Sequence, residues 1–108
     1  MAVPEITVSE LAARISEDDD FLLLDVRPGF ERDFSNIGGA HMQMSEIPAR
    51  LAELEEYLDQ DIVVYCRSGQ RSFQVVHFLR SRGFSGAVNL KGGILAWSRE
   101  IDPDIPQY

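Results

Sequence analysis

"DIVVYCRSGQRSFQVVHFLRSRG", residues 61–83, passes through three kinds of local pattern in one short run. DIVVYC at 61–66 is uniformly apolar and rich in β-branched residues, too short for a surface helix, and reads as a strand covered on both faces. From Gln70 to Arg82, Val75, Val76, Phe78 and Leu79 follow helical spacing. Arg80 and Arg82 lie near the negative end, and Gly83 stands just past it. Between the two segments a glycine-containing turn carries the chain's one cysteine, Cys66, beside Arg67 and Arg71.

The same alternation extends in both directions. Thr7-Val8-Ser9-Glu10 has the form of a capping box ahead of a helix over 8–16, since Leu11 and Ile15 stand at helical spacing. FLLLDV at 21–26, bounded by the acidic turn at 18–20 and by Pro28, is a second buried strand. The stretch 28–39 is loop-like with at most a helical turn, and 40–44 suits a short strand. Ile47, Leu51, Leu54 and Leu58 mark one face of a helix over 48–58. GAVNL at 86–90 is another strand, two glycines lead into a short last helix, and the tail from Asp102 is expected to be irregular.

Strands alternating with helices imply an α/β fold, a mostly parallel sheet flanked by helices on both faces. The 108 residues fit a single domain over 1–108, with its core at about residues 5–100 and an irregular tail over 101–108. Ligands of such sheets sit beyond the carboxyl ends of the strands, where this pattern places Cys66 and the segment from Asp25 to Arg27.

Composition narrows the functions. One cysteine permits no internal disulfide, and with only two histidines besides, no metal site is expected. A formal charge of −8 disfavours nucleic acid and anionic membrane surfaces as partners. Residues 1–20 lack the pattern of a secretory leader and no segment is apolar enough to span a membrane, so the expected compartment is a reducing cytoplasm.

A strand ending in cysteine and turning into a helix start aims several backbone N–H groups at one spot, and the helix end adds partial positive charge. Such a nest stabilises an anion, the Cys66 thiolate first of all. The competing reading is a small buried hydrophobe. Arg67 and Arg71 either attract an anionic substrate or are solvated loop residues. Asp25 reads as a loop-fixing ion-pair partner, and Arg27 as either structural or anion-binding. His41, His77, Trp97, Met42 and Met44 read as structural.

CRSGQRS, followed by a helix and by GFSGAVNLKGGILAW, resembles the rhodanese-like family, whose active loop opens with the catalytic cysteine. LLLDVRPGFE and IGGA resemble that family's upstream segments, and the likeness runs from about residue 5 to 98. It implies a small domain of about five strands acting as a sulfurtransferase without cofactor. Cys66 would take a sulfane sulfur from a small anionic donor such as thiosulfate, releasing sulfite. The cradle from Arg67 through Ser68, Gly69, Gln70 and Arg71 to Ser72 would hold the persulfide, with Arg27 as a further anion binder. Cyanide, an external thiol or an acceptor protein would then remove the sulfur, since no second cysteine is present.

Ser35, Asn36 and Arg32 depart from the family pattern and bear on the packing of the 31–37 loop. Two rivals remain. One is a persulfide-carrier or docking module with weak turnover or none. The other, a cysteine phosphatase, needs five residues between cysteine and arginine to wrap a phosphate, where Cys66 and Arg71 have four.

Overall fold

The computed structural model describes residues 2–108; Met1, part of the expected domain, lies outside them. Five strands form one sheet in the order β1-β5-β4-β2-β3: β1 Glu5–Ile6, β2 Leu22–Asp25, β3 Ala40–His41, β4 Ile62–Tyr65 and β5 Ala87–Leu90. Every pairing is parallel. In β4 the side chains alternate between two cores. Ile62, Val64 and Cys66 join Leu24, Val26, Val75, Val76 and Leu79 on one face. Val63 and Tyr65 join Val8, Leu11, Leu90 and Ile94 on the other. Burial of both faces is why the strand reads as an unbroken apolar run.

The capping box closes the start of α1 Val8–Ser16, with Thr7 Oγ1 accepting from the Glu10 N–H and Glu10 accepting from the Thr7 N–H. α4 Gln70–Ser81 covers the first face, and α1 and α5 Gly93–Glu100 pack on the second. Among the described residues no helix is long and apolar enough to cross a membrane.

Three segments differ from the sequence reading. The stretch expected to hold at most a turn contains α2 Gly29–Phe34. It leaves Phe30 74% and Phe34 57% exposed while burying Glu31, so its polarity runs opposite to the pattern a buried face would show. The helix expected over 48–58 is a short α3 Ile47–Arg50 followed by a 3₁₀ segment, Leu51–Tyr57. Leu51, Leu54 and Tyr57 recur every third residue and turn to the core, which suits three residues per turn. β1 was not located by pattern, because two residues carry no periodicity.

α5 also ties down the turn after β4. Its Ile94 and Leu95 N–H groups donate to the Cys66 and Arg67 carbonyls at 2.9 and 3.1 Å. Gly93 makes this approach possible: its φ is +61°, and a Cβ there would stand 2.5 Å from the Arg67 carbonyl oxygen. Gly93→Ala must therefore adopt a left-handed conformation and push on backbone. A loss of roughly 2 kcal/mol or more is expected in urea titration, with slower alkylation of Cys66 as the loop is displaced.

Candidate active site

Cys66 follows the last residue of β4, and the turn from Arg67 to Gly69 carries the chain into α4. Gly69, at φ +102°, reverses the turn before the helix begins. The result is a loop curled around Sγ. The N–H groups of Gly69 and Ser72 lie 3.1 and 3.4 Å from the sulfur, and the Ser72 hydroxyl 3.3 Å. The loop carbonyls are occupied elsewhere: Cys66 and Arg67 by α5, Gly69 by the Phe73 N–H and the Asn89 side chain.

Burial pushes the Cys66 thiol up, since the residue is only 1% exposed. The Ser72 hydroxyl and the N–H groups of Ser72, Gly69 and Ser68 more than offset it, leaving the thiol below its ordinary value. Two open clefts flank the loop. One, of about 610 Å³, is lined by Ser68, Gly69, Gln70, Asn89 and Lys91 among others. The second, about 430 Å³, lies among Val26, Pro28, Met44 and Arg71.

Each of the two loop arginines is paired with an oxygen rather than with the sulfur. Arg71 makes a bidentate pair with Glu31 at 2.8 and 2.9 Å, which raises the arginine and holds the Glu31 carboxyl below its usual range. Arg67 is exposed and donates from Nε and Nη2 to the main-chain oxygen of Tyr108, its guanidinium 5.3 Å from the Tyr108 ring centre.

Arg27, expected at the substrate, is wholly buried. Its Nε and Nη2 pair with Asp25 at 2.9 and 2.8 Å, Nη2 also reaches the Ser35 carbonyl, and Nη1 donates to the Tyr108 hydroxyl at 2.7 Å. An interior guanidinium without a carboxylate would be a costly unpaired charge. With every side-chain nitrogen engaged, Arg27 supports the site from below. Asp25 is the loop-fixing partner the sequence suggested.

The Tyr108 hydroxyl donates in turn to Glu31 Oε1 at 2.6 Å, joining Asp25, Arg27, Glu31 and Arg71 into one network. Burial and the bond to Glu31 push this phenol up. The departures at 32–36 are packed into the same region. Ser35 Oγ donates to the Pro106 carbonyl, Asn36 bonds Arg32 O and the Gly38 N–H, and Arg32 reaches Asp25 and the Gly39 carbonyl. His41 Nε2 lies 2.6 Å from the Arg27 carbonyl.

Glu31, Asn89 and Tyr108 were not singled out from the sequence. Asn89 had a signal, a polar side chain inside the apolar GAVNL strand. Glu31 was visible only within the family-like segment, and Tyr108 gave none.

A family profile described as "Rhodanese-like domain" matches residues 7–100. The chain belongs to the rhodanese-like family. It is similar to a sulfurtransferase of Allochromatium vinosum, 40% identical over 98 residues covering 90% of each chain. Similarity extends to the putative sulfurtransferase YtwF of Bacillus subtilis, 36% identical over 95% of this chain and 98% of the relative. The solved structure of a human single-domain sulfurtransferase, TSTD1, superposes with a TM-score of 0.78 at 26% identity, over 92% of this chain and 98% of that one.

Ser72→Ala removes a hydroxyl donor to the sulfur. Alkylation of Cys66 at pH 7 should slow roughly tenfold, the scale of one charge-assisted hydrogen bond, and the rise of its rate with pH should move to higher pH. The sign follows from the donor stabilising only the ionised form. Equal profiles for both proteins would show that the hydroxyl does not act on the thiolate.

Proposed function

We propose that this protein is a rhodanese-type sulfurtransferase in which Cys66 carries the sulfur as a persulfide. The observation that supports it most strongly is the convergence of the Gly69 N–H, the Ser72 N–H and the Ser72 hydroxyl on one sulfur. Such donors stabilise negative charge on sulfur whether it is the thiolate or the outer atom of a persulfide.

In the loading step the Cys66 thiolate attacks the outer sulfur of a donor such as thiosulfate. The new S–S bond takes the place of the donor's own, and sulfite leaves with that bond's electron pair. In the unloading step cyanide or an external thiolate attacks the outer sulfur, and the electrons of the S–S bond return to Cys66. No oxidant, metal or cofactor is needed. With no second cysteine in the chain, the unloading step depends on an outside acceptor, a small thiol or an acceptor protein.

Arg67 and Arg71 are the basic residues of the loop itself, and we assign them to attracting the anionic donor. Their partners, the main-chain oxygen of Tyr108 and the Glu31 carboxylate, hold them at the rim. Ser68 and Gln70 are exposed on the loop itself, where they face incoming substrate. A phosphatase reading is disfavoured: Arg71, which would have to clamp phosphate, is bound to Glu31, and the loop is one residue short for it.

Incubation of the reduced protein with thiosulfate should add one sulfur atom to the intact mass, with release of sulfite, and cyanide should remove the addition. Cys66→Ser should gain nothing. A wild-type mass that stays unchanged with thiosulfate and with small persulfides would overturn the catalytic reading and favour a docking module.

A further inference from the structure

Asn89 is 1% exposed and polar, on β5, an interior strand of the sheet between β1 and β4. Its Nδ2 donates to the Gly69 carbonyl at 3.0 Å and to Glu5 Oε2 at 3.1 Å. Both partners only accept, so the amide nitrogen must face them and Oδ1 must face the other way. Oδ1 lies 2.5 Å from Ser72 Oγ. Because Oδ1 has no proton, the Ser72 hydroxyl is the donor of that bond.

The same hydroxyl is 3.3 Å from Cys66 Sγ. A hydroxyl carries one proton, and here two acceptors compete for it. When Cys66 is a thiol, its S–H can point at a lone pair of Ser72 Oγ while the Ser72 proton stays on Asn89. When Cys66 is ionised, the thiolate is the stronger acceptor.

We propose that Ser72 is a two-position proton switch and that Asn89 is the positioning residue that sets its resting state. Ionisation of Cys66 releases the thiol proton to water. Ser72 keeps its own proton and re-aims it from Asn89 Oδ1 to Sγ, with no bond to a heavy atom made or broken. The inference rests on the sulfurtransferase reading for its purpose: the thiolate and the outer persulfide sulfur receive a third donor only while negative charge is present. Asn89 thereby restrains ionisation in the resting enzyme, and through Gly69 it also holds the loop that supplies a fixed N–H.

Charged groups around the switch are Glu5 on the Asn89 amide, Arg71 with its partner Glu31 on the α4 side, Lys91 at the cleft rim, and Arg67 held by Tyr108. None of them bonds the Ser72 hydroxyl, so the competition is a property of Cys66, Ser72 and Asn89.

A double-mutant cycle isolates this coupling from any loosening of the loop. With one cysteine in the chain, thiolate absorbance titrates Cys66 alone. Asn89→Ala should lower the Cys66 midpoint in the Ser72 background, relative to its effect in the Ser72→Ala background, by about one pH unit. Loop displacement enters both arms equally and cancels. In the unmutated protein, the Asn89 side-chain carbonyl carbon should titrate by NMR with the Cys66 midpoint, and should lose that response in Ser72→Ala. Equal effects of Asn89→Ala in both backgrounds, or an Asn89 carbonyl that ignores the Cys66 titration, would overturn the switch. These titrations involve no sulfur donor, so failure to take up sulfur would count against the proposed function and not against the proton competition.

Discussion

The site depends on the loop carbonyls being held from outside. A six-residue turn can aim its N–H groups inward only if the oxygens of the same peptides point outward and are satisfied there. α5 accepts that task for Cys66 and Arg67, and Asn89 with Phe73 for Gly69. The paired glycines before α5 and the asparagine in β5 therefore belong to the same device as the cysteine, although they lie more than twenty residues downstream. Sheet order makes this possible, because β5 is the immediate neighbour of β4.

Charge near the sulfur is arranged in two layers. Hydrogen-bond donors from the loop contact the sulfur directly, while the arginines stand one layer back, each bound to an oxygen of its own. Asp25 and Arg27 anchor this second layer inside the core, and Tyr108 links it to the rim by bonding Arg27, Glu31 and Arg67. A carboxylate opposite each inner arginine keeps the region from repelling itself, and leaves the thiolate dependent on short-range donors that salt screens little.

Much of this was legible in the sequence for physical reasons. The three longer strands announced themselves as apolar runs because both faces of the sheet are covered. α1 and α4 were legible because capping and a terminal glycine mark their ends, and Cys66 because a strand, a glycine turn and a helix start converge on it. α2 was hidden by its outward phenylalanines, and the segment after Arg50 by a three-residue repeat that resembles a helical one over short distances. The contacts of Arg27, Glu31 and Tyr108 join positions up to 81 residues apart, and no local pattern encodes such pairings. A buried arginine and a substrate-binding arginine look alike in sequence until the carboxylate beside them is located.

The central claim is that the folded loop, through its own hydrogen-bond donors, holds the Cys66 thiol below its ordinary value. The direct measurement is the pH titration of thiolate absorbance in the folded protein and in the same chain unfolded in urea, each at low and high salt. The folded midpoint should lie below the unfolded one and change little with salt. A folded midpoint equal to or above the unfolded value, or a depression that disappears in high salt, would contradict the account.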